Sequence, residues 1–140
     1  MIRIGEVAER TGLTPRTIRY YEEIGLLPAP AERRKGAHRA YGDNDVERLN
    51  ELKRLRELLN LSLDELKQLV EAEEARAAIR KQFHATESDA ERLRLLDAAL
   101  PHVETQLSLV RARLGELQTL EAELVAKRKS ILARKRELST

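Results

Sequence analysis

Cysteine is absent from the 140-residue chain. That excludes a disulfide framework, a thiolate zinc site and a cysteine-ligated iron–sulfur cluster. Aromatic residues make up only 3%, fewer than a single large globular core normally uses. The N-terminus has no apolar run of signal-peptide length, and no stretch is long and apolar enough to span a membrane. The expectation is a cytoplasmic protein with no membrane contact. There is no Gly-rich phosphate loop, metal triad or nucleophile constellation, so an enzyme is not expected. The three histidines, His38, His84 and His102, are scattered and have no cysteine neighbours. No metal and no cofactor is therefore expected. The formal net charge is only +2, so any affinity for nucleic acid must come from how the charge is distributed.

What the chain does have is charge and leucine. Charged residues make up 36%. Abundant Leu, Ala, Glu, Lys and Arg with few aromatics points to long helices. Tyr20, Tyr21 and Tyr41 lie in the first third and only Phe83 lies beyond it, while five of the six glycines precede residue 43. Turns and tight corners thus belong to the first part, and the rest is nearly all helix. The division expected is a head over residues 1–73, a junction over 74–88 and a long helix over 89–140.

Within the head, residues 4–10 read as a short helix, with Val7 and Ala8 on its buried side. A turn through Thr11, Gly12 and Leu13 follows. Thr14 fits an N-cap with Pro15 at the first helical position, where its missing N–H costs nothing. The second helix runs from 15 to about 24, and Gly25 fits the position just past its end. Two short helices joined by a Gly-containing turn are a helix-turn-helix. Residues 29–42 read as a hairpin or wing with a basic tip of Arg33, Arg34 and Lys35. A third helix spans about 43–59 with Val46, Leu49, Leu52 and Leu55 on one face, and Asn60 ends it. Ser62 and Glu65 then form a capping box, and Leu61 staples onto Leu66. That helix runs toward Ile79, with a break placed around residues 84–88.

From residue 93 the spacing becomes regular. Leu93, Leu96, Leu100, Val103, Leu107, Val110, Leu114 and Leu117 alternate gaps of three and four, a coiled-coil pattern over four heptads. Glu121 breaks the register, and Leu120, Leu124, Ile131 and Leu132 resume it imperfectly. Pro101 lies inside the run, where a proline ordinarily ends or kinks a helix. The heptad phase is nevertheless the same on both sides of it, which favours one kinked helix. Such a helix, from about 89 to 138, is roughly 75 Å long at about 1.5 Å per residue. It cannot bury its apolar stripe alone, and a second copy of the chain is the simplest partner.

Ile4-Gly5-Glu6-Val7-Ala8, Thr14-Pro15-Arg16-Thr17-Ile18-Arg19-Tyr20-Tyr21-Glu22 and Gly25-Leu26-Leu27-Pro28 together resemble the start of MerR-family transcription regulators. The likeness continues through Arg39-Ala40-Tyr41, Asp45-Val46-Glu47-Arg48-Leu49 and Leu61-Ser62-Leu63-Asp64-Glu65-Leu66, in the family's order over about the first 70 residues. His38 stands where an aromatic is common, and Gly42 where a capping serine is common. The resemblance implies a mainly α fold: a winged helix-turn-helix DNA-binding domain followed by a long antiparallel coiled-coil helix. It also implies a homodimer that binds a pseudo-palindromic promoter spacer between the −35 and −10 elements. By bending and untwisting that double-stranded DNA, the dimer controls engagement by RNA polymerase.

The residues suit that role. A helix entering the major groove needs long polar side chains near its start, and Thr14, Arg16, Thr17 and Arg19 supply them. Tyr20, Tyr21 and Tyr41 are candidates for phosphate contacts, with core packing as the alternative for a tyrosine such as Tyr21. Arg33, Arg34, Lys35, His38 and Arg39 make a basic wing suited to phosphates. Dimerisation is expected through Leu93, Leu96, Leu100, Val103, Leu107, Val110, Leu114, Leu117 and Leu124. The Lys127-Arg128-Lys129 and Arg134-Lys135-Arg136 clusters suit a helix C-terminus and would face Glu87, Asp89 and Glu91 in an antiparallel pair. Phe83, His84 and Glu87 are either the lining of a small effector pocket or a loop held by docking of Phe83. A small-molecule effector stays open as a partner. The alternative function is an architectural DNA-binding or scaffold protein without controlled promoter activation.

Overall fold

The computed structural model describes residues 2–27 and 40–140. The order of elements is β1 (Ile2–Arg3), α1 (Ile4–Thr11), α2 (Pro15–Glu23), β2 (Ala40–Tyr41), α3 (Asp43–Leu59), α4 (Leu63–Ala85) and α5 (Asp89–Ser139). The fold is mainly α, a helix-turn-helix head followed by a long C-terminal helix. The two short strands pair antiparallel, with Ile2 opposite Tyr41 and Arg3 opposite Ala40. The expected wing between them lies outside the described residues.

Local chemistry explains each boundary in the head. Gly12 closes α1 at φ +73° with its N–H on the Ala8 carbonyl, a left-handed conformation that favours glycine. Thr11 donates its hydroxyl to the Val7 carbonyl and accepts the Leu13 N–H, which tightens the turn. The hydroxyl of Thr14 accepts the Thr17 N–H and so caps α2, with Pro15 next to it. Gly25, at φ +82°, follows α2. Gly42 has no side chain with which to cap α3. Asp45 instead accepts the Gly42 N–H at 2.9 Å, half of a capping box. Asn60 ends α3 in the left-handed region at φ 52°. Ser62 and Glu65 complete a reciprocal box at the start of α4.

These turns fold α1–α4 around one core. Val7, Ile18, Tyr21, Leu26, Leu27, Tyr41, Leu49, Leu52, Leu61, Leu66, Leu69 and Val70 are all buried in it. Fully burying a side chain of Val or Leu size stabilises by roughly 1.5–3 kcal/mol. The core thus accounts for the apolar faces of all four head helices.

α4 runs six residues beyond Ile79, to Ala85. The sequence-expected junction over 74–88 is therefore the second half of α4 plus a short turn at 86–88. The extension has a packing cause. α4 and α5 run antiparallel as a hairpin, with Glu73 beside Gln106 and the Arg92 guanidinium 5.5 Å from the Phe83 ring centre. Ser88 caps α5 by accepting the Glu91 N–H. Pro101 lies inside α5 without breaking it. It lacks the N–H that would bond the carbonyl four residues back, but the hairpin seam runs on both sides of it.

That seam was not apparent in the heptad pattern. α5 turns Leu95 into the hairpin, where it is buried, with Ala99, His102, Gln106, Leu109 and Arg113 half-buried along the same line. These positions also step by three and four, offset from the predicted stripe by one residue.

Candidate nucleic-acid interface

α2 carries the side chains expected to face the groove. Its buried side is Ile18 and Tyr21, which fixes the orientation of the rest. Arg16 and Arg19 are exposed on the opposite side with Thr17 half-buried between them. The hydroxyls of Thr14 and Thr17 lie 2.8 Å apart. Tyr20 is 38% exposed beside them. Arg16, Thr17, Arg19 and Tyr20 line one shallow concavity, together with Glu23, Arg56 and Leu63. Two exposed guanidinium groups, unpaired among the described residues, offer the bidentate donors that a guanine edge accepts.

Two of the predicted contacts belong elsewhere. Tyr21 and Tyr41 are both fully buried. Tyr41 donates its hydroxyl to Glu22 and so ties β2 to α2. The Tyr21 hydroxyl is buried with no hydrogen-bond partner among the described residues. Neither tyrosine presents a hydroxyl to solvent, because the head is small and its few aromatic rings fill the centre. For both, core packing is the role the structure supports. Arg33, Arg34, Lys35, His38 and Arg39 lie outside the described residues.

Two arginines escaped the sequence reading. Arg56, near the end of α3, donates from Nε to the Leu61 carbonyl at 3.2 Å and borders the α2 concavity. Arg48, in the first half of α3, donates from Nε to the Leu26 carbonyl at 3.2 Å and from Nη2 to Glu74 at 2.7 Å. A charged residue on an amphipathic helix looks like any solvated one. Only the approach of α2 and α4 gives these two a purpose.

Seven of the nine predicted dimer positions are exposed. Leu93 is 65% exposed and Leu117 47%. Leu96, Leu100, Val110, Leu114 and Leu124 are likewise exposed, while Val103 and Leu107 are half-buried. Every residue from 116 to 140 is exposed. At the hairpin tip, Phe83 meets His84 edge-on and Arg92 face-on. Among the described residues, no group of three or more His, Asp or Glu is arranged to hold a metal ion. No helix among them is long and apolar enough to cross a membrane.

Exposed arginines on the second helix of a helix-turn-helix mark a DNA-binding regulator, and comparison with known proteins agrees. The family described as MerR HTH family regulatory protein matches residues 2–73. The HTH-type transcriptional regulator YfmP of Bacillus subtilis (strain 168) is 34% identical over 123 residues, 88% of this chain and 87% of its own. The mercuric resistance operon regulatory protein of Bacillus cereus is 44% identical over 77 residues, but these cover 53% of this chain and 57% of that protein. A solved structure described as a MerR family transcriptional regulator from Listeria monocytogenes shares the fold, with a TM-score of 0.61 over 99% of this chain and 95% of its own at 24% identity. The chain belongs to the MerR family of helix-turn-helix, DNA-binding transcription regulators, a family of non-enzymes.

Proposed function

We propose that the protein is a cytoplasmic homodimer that binds a pseudo-palindromic promoter spacer and bends and untwists it, controlling how RNA polymerase engages the −35 and −10 elements. The observation that carries the reading is the apolar strip on α5. The neighbouring face of that helix is already packed on α4, yet Leu93, Leu96, Leu100, Val110, Leu114, Leu117 and Leu124 remain exposed. A strip of that length is stable in water only against another helix. Acidic residues (Glu87, Asp89, Glu91) open α5 and basic ones (Lys127, Arg128, Lys129, Arg134, Lys135, Arg136) close it. An antiparallel pair brings unlike charges together and holds the two heads apart. Exposed pairs contribute only about 0–1 kcal/mol each, so charge selects direction and leucine burial supplies affinity.

In this reading residues 1–73 are the DNA-binding domain, 74–88 the junction and 89–140 the dimerisation helix. Arg16, Thr17 and Arg19, positioned by the Thr14 cap, read bases. Tyr20, Arg56 and the basic residues Arg33, Arg34, Lys35, His38 and Arg39 hold phosphates. This chain has no cysteine, so it offers an effector no thiolate ligands.

Spin labels on Ser88→Cys and, separately, Ser139→Cys test the arrangement. At about 1.5 Å per residue, an antiparallel dimer separates each like pair of labels by roughly 50 Å or more. A parallel dimer brings both pairs within roughly 20 Å and ends the proposal. Transcription in vitro from promoters with lengthened and optimal spacers then tests the mechanism, with stimulation expected only on the lengthened ones.

A further inference from the structure

A chain of polar contacts runs from the recognition helix to the coil. Its first link is the turn after α2, where the N–H groups of Leu26 and Leu27 both donate to the Tyr21 carbonyl. The Leu26 carbonyl accepts Arg48 Nε at 3.2 Å, and Arg48 Nη2 reaches Glu74 on α4 at 2.7 Å. The adjacent Glu73 accepts Gln106 Nε2 from α5 at 3.0 Å. Arg76 closes the triangle, donating to Glu73 at 2.7 Å and to the Gln106 side-chain oxygen Oε1 at 3.0 Å. Beneath this chain lies a cleft of about 380 Å³ between α3, α4 and α5, with Leu52, Leu55, Leu69 and Val70 among its lining. Head and coil are joined here by the unbroken α4 and by Leu109 of α5, which packs against the head core; the polar contacts bridge the open side of that joint. There they can trim the angle that the packing leaves adjustable.

The angle matters because a dimer reads two half-sites at once. Each added base pair moves one half-site by about 3.4 Å and turns it by roughly 35° about the DNA axis. We propose that Arg48 and Gln106 are positioning residues that set where the two recognition helices stand relative to each other. They thereby govern preference for half-site spacing and not affinity for one half-site. Neither side chain needs to touch DNA. The proposal rests on the dimeric operator-binding reading above.

The test uses the full-length chain and a set of operators whose half-site separation differs by single base pairs, with a single half-site duplex as reference. The wild-type protein binds one separation best. Arg48→Ala and Gln106→Ala each reduce that discrimination by about fivefold or more, the lower end of typical coupling between sites, and leave half-site binding nearly unchanged. The links lie in series, so the double variant discriminates no worse than either single one. Lys67→Ala, which removes an exposed pair with Glu71 on α4, retains the preference. If both Arg48→Ala and Gln106→Ala retain it too, or weaken every duplex equally, the positioning role is overturned while the dimeric reading stands. If the wild type shows no spacing preference, both fall together.

Discussion

The head and the long helix solve the problem of burial in opposite ways. The head closes on itself: every one of its helices places side chains in one core of twelve buried residues, and its helix starts and ends have chemical stops. α5 has 51 residues but only Leu95 among its side chains is buried, and its last 25 residues, 116–140, are wholly exposed. A compact unit can be stable with its own contacts. A single extended helix has too much surface for its volume, and its stability comes from whatever lies against it. Packing on α4 supplies one face over the first half. The other face carries the exposed apolar strip.

That contrast breaks most visibly by attacking the exposed strip. In a dimer, Leu114→Asp with Leu117→Asp removes four leucines from the shared surface. At about 1.5–3 kcal/mol for each buried leucine, the expected loss is roughly 6 kcal/mol or more. Sedimentation velocity should show monomers, with the amide spectrum of the head unchanged. A dimer of unaltered affinity would place the interface elsewhere. Leu49→Ala is the complementary change, since Leu49 is fully buried in the head. A cavity there costs about 2–5 kcal/mol, so urea unfolding of the head should shift and DNA binding fall with it. The chain should still dimerise.

Smaller effects sharpen the picture of the head. Arg19→Ala should lower preference for operator over scrambled duplex by about 1–3 kcal/mol, measured by binding isotherms at several salt concentrations. Equal loss on both duplexes would make Arg19 a phosphate contact. Ser62→Ala removes the cap of α4 and should cost about 0.5–2 kcal/mol. Its partner Glu65 is held below the usual carboxylate range, chiefly by the Ser62 backbone N–H and then by its hydroxyl. Because the folded value is depressed, this contribution is present above the unfolded value near 4.3 and is lost as pH falls through the folded value. Thermal melts of wild type and Glu65→Gln should therefore converge in acid, while Ser62→Ala, which keeps the backbone N–H that Glu65 accepts, stays offset. The smallest effect is expected from a chelator. With no cysteine to bind a thiophilic metal, DNA binding should be unchanged, and loss of binding on chelation would point to a metal site built from oxygen and nitrogen donors.

Much of this architecture is written in short-range signals. Thr14 and Pro15, Asn60, and the pair Ser62 and Glu65 each satisfy or terminate backbone groups within a few residues, so helix limits in the head follow from sequence alone. The strip from Leu93 to Leu117 is equally plain, since its period is a property of one helix. The exposure of Arg16 and Arg19 on α2 was legible because the buried side of that short helix is set by Ile18 and Tyr21. What the pattern could not tell apart was two adjoining seams on the same helix. Leu95, Ala99, His102, Gln106 and Leu109 differ from the exposed strip only by one residue of phase, and nothing local says which seam α4 covers. For the same reason the roles of Tyr21 and Tyr41 were open until the core was assembled, since a tyrosine is equally suited to a phosphate and to a packed interior. The contacts of Arg48 with Leu26 and Glu74 span 22 and 26 residues of sequence. Helix limits and apolar periods are decided by neighbours along the chain. The choice of which face is buried, and which charges meet, is decided by long-range packing, because only there do distant side chains compete for the same space.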